Sequence, residues 1–139
     1  MAAPIYNFIY FYSMAKLPMI ILYVSDQLRS KTFYEAVLKQ KPLLSVPGMT
    51  EFQLTDNFML GLMPEQGISK IICPQTPNPS TGNGIPRCEL YLFVEDPTAS
   101  LNNAINAGAI KISKAEARDW GDIVSYCADP DGHVIAFAK

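Results

Sequence analysis

The chain has 139 residues but only one histidine, one tryptophan and three cysteines, and each shortage closes off a class of function. With His133 as the sole imidazole, the histidine-rich ligand sets of catalytic zinc and nickel cannot be assembled. Cys73, Cys88 and Cys127 are odd in number and widely spaced, which fits neither a disulfide framework nor a paired zinc motif. They are expected to be buried, inert thiols in a reducing, cytoplasmic setting. Charge is also sparse, at 17% of residues and a net −2, and the 11 Lys and Arg form no stripe that could follow a phosphate backbone. Nucleic acid is therefore not an expected partner. Nor is there an uninterrupted apolar run of the about 20 residues that a membrane span needs. The opening MAAPIYNFIYFYS is apolar and aromatic, but Asn7 breaks it and no basic leader precedes it. Residues 1–16 are taken as an extension upstream of the domain, with a strand or a hydrophobic contact as its expected form.

What the chain does have is hydrophobic content, 49% of residues, without low-complexity stretches. At this length that predicts one domain burying roughly 68–70% of its unfolded surface. It also has an internal repeat. MIILYVSDQLRSKTFYEAVL at 19–38 and ELYLFVEDPTASLNNAINAG at 89–108 share one plan, a strand ending Val-x-Asp and then a helix. Asp26 and Asp96 are placed to cap those helices by accepting hydrogen bonds from first-turn amides, and Pro97 sits where its missing N–H costs little. Three short strands follow each helix: 42–46, 50–54 and 58–63 in the first half, 109–114, 122–128 and 133–138 in the second. Turns PG, TDN, DWG and DPDG separate them. The intervening segment 64–87 is rich in Pro, Gly, Ser and Asn and reads as a linker or lid loop between modules at 17–63 and 88–139.

Two such modules, with FYEAVL in the first helix and DPDGHVIAF at the end, resemble the glyoxalase, bleomycin resistance and extradiol dioxygenase superfamily, also called vicinal oxygen chelate proteins. The resemblance implies an α+β fold of two βαβββ modules, forming a curved, cleft-enclosing mixed sheet with helices outside. It also implies pairing of two chains as a homodimer. In metal-dependent members, four cleft residues bind the metal. Here those positions fall on Met19, Gly61, Glu89 and Ala136, of which only Glu89 can bind a divalent cation. No metal and no other cofactor is therefore expected, and His133, following the turn glycine, reads as a strand start.

Strand alternation selects the residues that could meet a ligand. In the first strand Ile20, Leu22 and Val24 should meet the helix and Met19, Ile21 and Tyr23 the cleft; in the second module Leu90, Leu92 and Val94 mirror the first row and Glu89, Tyr91 and Phe93 the second. Glu51, Gln53, Met59, Met63, Val124 and Tyr126 are also placed inward, with Trp120 at the edge. Aromatic and Met walls with a few polar groups describe a small-molecule pocket, although each aromatic taken singly could simply be core. The ligand-binding set is Tyr23, Gln53, Glu89, Tyr91, Trp120 and Tyr126. ARDWGDIVSYCADPDGHVIAFAK resembles the end of bleomycin resistance proteins, which implies metal-free binding or sequestration of a small molecule. The alternatives are a lactoylglutathione lyase-like enzyme or dioxygenase of the same superfamily, and a structural dimer without ligand. For an enzyme, Glu89 is the only candidate base, its pKa expected to rise through burial among Tyr91, Phe93 and Ile21.

Overall fold

The computed structural model describes residues 17–139; the expectation for the extension at 1–16 lies outside them. Both modules form as their repeat predicts. The first comprises β1 (Met19–Val24), α1 (Gln27–Leu38), β2 (Leu44–Val46), β3 (Met49–Thr55) and β4 (Phe58–Pro64). The second comprises β5 (Glu89–Phe93), α3 (Pro97–Asn106), β6 (Ile110–Ala117), β7 (Ile123–Ala128) and β8 (Val134–Ala138). Each makes a four-stranded mixed sheet, ordered β1-β4-β3-β2 and β5-β8-β7-β6, in which the first and last strands of the module run parallel and the rest antiparallel.

Helix starts follow local chemistry. Asp26 and Asp96 both adopt extended backbone, and their carboxylates accept from Arg29 N at 3.0 Å and from Thr98 N and Ala99 N at 3.1 Å. One part of the linker differs from its expected form: Glu65–Ile72 is a helix, α2, and only the remainder is irregular, with a short 3-10 turn at Pro79–Thr81. The Pro and Gly that mark 74–86 as loop masked a short amphipathic segment whose apolar cue, Ile68, Ile71 and Ile72, spans little more than one turn. Ile68 is buried.

The helices and the helix-facing rows of both sheets share one core. Leu22, Val24, Phe33, Tyr34, Phe52, Leu60 and Leu62 of the first module are continuous with Leu101, Ala104, Cys127, Ile135 and Phe137 of the second. Leu90, Leu92 and Val94 pack against it from β5 and its end. α1 lies against α3, where Asn103 Nδ2 donates to the carbonyl of Ala36 at 2.9 Å. The expected row in β1 holds at Leu22 and Val24, but Ile20 is 42% exposed because α1 does not extend over it. The thiols divide three ways: Cys127 is buried, Cys73 is half-buried, and Cys88 is exposed, contrary to the buried role expected of it. It precedes β5 rather than lying inside it, so no sheet neighbour covers it.

Candidate functional site

With helices on one side, the opposite face of each sheet is free, and strand register decides what it presents. In the second sheet Ala136 lies between Tyr91 on β5 and Tyr126 on β7, with Ser113 beyond on β6. The equivalent row of the first sheet is Ile21, Gly61, Glu51 and Leu44. Tyr91 and Tyr126 pack around Val124, Ala136 and Ala138 as a small cluster separate from the main core.

Hydrogen bonds fix this aromatic patch. Trp120 Nε1 donates to the Tyr91 hydroxyl at 2.9 Å, and that hydroxyl donates to Asp122 Oδ2 at 2.7 Å. Burial and the bond to Asp122 hold the Tyr91 pKa above its usual value, with the Trp120 bond pulling the other way. Phe93 meets Tyr91 edge to face at 5.5 Å. On the far side the Arg118 guanidinium stands 5.2 Å over the Tyr126 ring, a cation–π arrangement. Its Nη2 donates to Ser113 Oγ at 2.7 Å and to the Val124 carbonyl at 2.9 Å. Its Nε is buried without a hydrogen-bond partner among the described residues. Arg118 was not singled out from sequence; in ARDWG it reads as one more turn charge, and only the return of the β6–β7 hairpin places it over Tyr126.

Of the residues expected to bind a ligand, the structure brings Tyr91, Trp120 and Tyr126 together and scatters the others. Trp120 is 59% exposed, which removes the alternative that it plugs the core. Gln53 lies on the first sheet opposite Met59, its backbone carbonyl accepting from Gln40 Nε2. Tyr23 faces a different cavity, with Glu65, Arg87 and His133. Glu89 is exposed at the start of β5, so the burial expected of it among Tyr91, Phe93 and Ile21 is absent. Its side chain stands where the sheet begins, before the strand gains covering neighbours.

The four positions that would hold a metal do not fit one. A Cβ on Gly61 would fall 2.7 Å from Met19 Sδ, so the methionine fills the space beside the glycine. Ala136 contributes a fully buried methyl between two tyrosines. Glu89 alone offers oxygen, whereas a catalytic zinc takes about three protein ligands. Among the described residues no other group of three or more His, Cys, Asp and Glu side chains could hold an ion.

A second polar centre joins the modules. The buried Asp129 carboxylate accepts from the Tyr34 hydroxyl at 2.7 Å, from the backbone amides of Asp131 and His133 at 2.9 Å, and contacts His133 Nδ1 at 2.9 Å. Burial alone would raise the Asp129 pKa, but the bonds from His133 and Tyr34 hold it below the usual carboxylate value. For His133, burial pulls the imidazole pKa down and the carboxylates of Asp129, Asp131 and Glu65 outweigh it, leaving it raised. Burial and Asp129 together push the Tyr34 hydroxyl well up. Asp131 binds the first module directly, accepting from Ser25 N and Oγ, Ser30 Oγ and Arg29 Nη2. The DPDG motif is thus both a turn, with Gly132 at φ 92°, and a clasp. Its turn role is local and readable; its partners lie about a hundred positions away in the chain.

Two βαβββ modules, joined through a common core and carrying their free sheet faces opposite the helices, define the class as a glyoxalase-fold protein. The Glyoxalase-like domain family matches residues 17–139, and the chain belongs to it. Among solved structures it is similar to a glyoxalase-related enzyme from Fulvimarina pelagi, with TM-score 0.74 and 22% identity over 88% of this chain and 86% of that one. A glyoxalase/bleomycin resistance protein/dioxygenase family enzyme from Burkholderia phytofirmans PsJN gives TM-score 0.74 and 15% identity over 86% and 94%. A glyoxalase/bleomycin resistance protein/dioxygenase from Nocardioides gives 0.69 and 18% over 95% and 91%. These likenesses show the fold alone. No curated protein matches the sequence.

Proposed function

We propose that the chain binds a small aromatic or cationic molecule on the free face of its second module, without a metal, and acts by binding or sequestration. The observation that carries this reading is the row Tyr91, Ala136, Tyr126. Where a metal-dependent relative would need an acid, the sheet holds a buried methyl covered by two half-buried phenol rings, and the rings are what it presents. Trp120 extends that surface, and Asp122 supplies a carboxylate already oriented by Tyr91. An indole and phenol platform with one acid beside it stacks on flat rings and attracts positive charge.

In this reading a second copy of the chain closes the site. Ile21, Phe93 and Ile123 are 36%, 72% and 46% exposed, a spread of large apolar side chains that a lone domain leaves wet. The three cysteines are free thiols, consistent with a reducing, cytoplasmic setting. Among the described residues no helix is long and apolar enough to cross a membrane.

The experiment is a titration of purified protein with a panel of planar and cationic compounds, read by Trp120 fluorescence and calorimetry, with metal content measured on the same sample. Binding that is saturable, lost in Trp120→Ala and indifferent to chelator supports the reading. One equivalent of tightly bound metal, lost in Glu89→Ala, would replace it with the lyase or dioxygenase alternative. Sedimentation as a monomer at all concentrations would remove the closing copy.

A further inference from the structure

Away from the aromatic patch, two cavities meet at the junction of the modules. The inner one, about 230 Å³, is walled by Ile20, Leu22, Leu60, Leu90 and Val134, with Tyr34 and Phe58 completing the apolar lining and the exposed Glu89 beside Cys88. The outer one, about 490 Å³, lies between Tyr23, the start of α2 at Glu65, the 82–88 segment with Arg87, and the DPDG turn. Cys88 and His133 line both, so the two chambers adjoin there. Parallel pairing of Glu89 with Val134 explains why: the residues just before each, Cys88 and His133, come side by side at the mouth of the sheet.

The chambers differ in chemistry. Inside, the walls are aliphatic, and Ile20 is an apolar side chain of the helix-facing row that its own helix leaves uncovered. At the mouth, Arg87 has no ion-pair partner among the described residues. His133 has its Nδ1 engaged by Asp129, so Nε2 is the ring nitrogen left for a ligand. Three acids also line the chambers, Asp131, Glu65 and Glu89, and among the described residues none is bonded to Arg87 or to His133 Nε2. Asp131 is held by Arg29, Ser25 and Ser30, Glu65 favours the protonated imidazole, and Glu89 is exposed to solvent. A neutral apolar ligand would leave Arg87 and His133 without a role, and an ammonium, which has no lone pair, could accept a hydrogen bond from neither.

We infer that this junction is a second ligand site that takes a small amphipathic carboxylate, its alkyl or aryl tail in the aliphatic chamber and its carboxylate held by Arg87 and His133. A guanidinium and an imidazolium donating to one carboxylate make charge-assisted hydrogen bonds at the rim, where the tail alone cannot select an orientation. The site is independent of the aromatic patch, sharing none of Tyr91, Trp120 and Tyr126.

The test uses octanoate, octylamine and octanol on the full chain by calorimetry, with alkylation of Cys88 by iodoacetamide as a positional readout. Octanoate is expected to bind saturably and to slow alkylation of Cys88, an effect absent in Cys88→Ser. Arg87→Gln should weaken octanoate about tenfold, the scale of one charge-assisted bond. Ile20→Phe should fill the chamber and abolish binding; because Ile20 is partly exposed, its thermal unfolding should stay near wild type, and that is measured alongside. Trp120→Ala should leave octanoate binding unchanged. The inference is overturned if octanoate gives no saturable binding, if octylamine binds as well, or if Ile20→Phe and Arg87→Gln bind like wild type. It is equally overturned if Trp120→Ala alone removes octanoate, which would put the ligand on the aromatic face and leave the proposed function standing.

Discussion

The two modules share strand order, register and capping, yet their free faces have diverged. Across the first sheet the central row reads Ile21, Gly61, Glu51; across the second it reads Tyr91, Ala136, Tyr126. Around Gly61 the neighbours are the soft thioethers of Met19 and Met49. Around Ala136 they are phenols tied to Trp120, Asp122 and Arg118. The helix-facing rows of both modules are built alike because they must fill one shared core, whereas the free faces are under no such constraint. In the proposed function this difference puts the specific surface on the second module and an adaptable, Met-lined wall on the first.

The largest test of this comparison asks whether two unlike faces ride on one cooperative unit. Asp129→Ala removes the acceptor shared by Tyr34, His133 and two backbone amides, leaving buried donors unpaired on both sides of the junction. A loss of about 3–5 kcal/mol is expected in urea unfolding, as for other broken buried polar networks. Fluorescence of Trp120, in the second module, and far-ultraviolet circular dichroism should report the same shifted transition. Two separate transitions would show that the modules are independent and that the clasp holds only one of them.

Next in size is the contrast between the faces themselves. Trp120→Ala should weaken a ligand stacked on the second module by about 1–3 kcal/mol, roughly 5–150-fold, from lost indole stacking and cation–π attraction. Because Trp120 is mostly exposed, stability should change by no more than about 0.5 kcal/mol. Glu51→Gln on the first module should leave that affinity within about twofold if recognition lies on the second. Equal losses from the two substitutions would mean that the faces act together on one ligand, and the assignment to one module would fail.

A smaller effect separates the two central small residues. A methyl at Gly61 meets Met19 Sδ at 2.7 Å and Ile21 Cγ1 at 3.1 Å, but the sulfur is the movable end of a flexible side chain. Gly61→Ala should therefore cost about 1 kcal/mol, at the low end of overpacking penalties. Ala136→Gly should cost a similar amount through strand entropy and the lost methyl contacts with the tyrosines. Thermal unfolding of both variants checks this. A Gly61→Ala protein more stable than wild type would mean that the Met-lined wall is loosely packed, with space the methyl can fill.

Much of the scaffold was legible because it rests on local chemistry: Asp26 and Asp96 cap helices wherever a Val-x-Asp strand end precedes a helical stretch, and alternation sorted Leu22 and Val24 from Ile21. The aromatic trio was legible for the same reason, since Tyr91 and Tyr126 sit on strands whose pleat fixes their face. What escaped depends on pairing between distant segments. Glu89 lies on the expected strand, but its exposure is set by what stands before β5. Arg118 gains its role only through hairpin geometry, and α2 was hidden by the loop composition that follows it. Asp129 reads as a turn residue until α1 brings Tyr34 against it. The junction cavity arises where Ile20 outruns its helix, an absence of cover that no motif records.

The smallest expected effect is a pH dependence seated where the modules meet, and its sign follows from the two shifted partners. His133 is raised above the ordinary 6.5, because the Asp129 bond and the charges of Asp129, Asp131 and Glu65 outweigh burial. The folded state therefore holds that proton more tightly than the unfolded chain. The resulting stabilisation is full below the unfolded value and is lost as pH rises through the raised folded value. Asp129 behaves oppositely: held below the ordinary 3.8, it stabilises above that value and loses its contribution as pH falls through the depressed one. Tyr34, pushed upward, stays protonated throughout and continues to donate. The other groups near the imidazole are Arg87, Cys88, Glu89 and Tyr23, on the 82–88 segment, β5 and β1, and they bring one cation and one acid whose charges oppose each other. Urea unfolding across the mildly acidic to mildly alkaline range should thus show stability declining with rising pH. His133→Asn should flatten that decline while Glu89→Gln leaves it in place. An unchanged slope in His133→Asn would show that the clasp is insensitive to protonation and that the modules are joined by Tyr34 and the backbone amides alone.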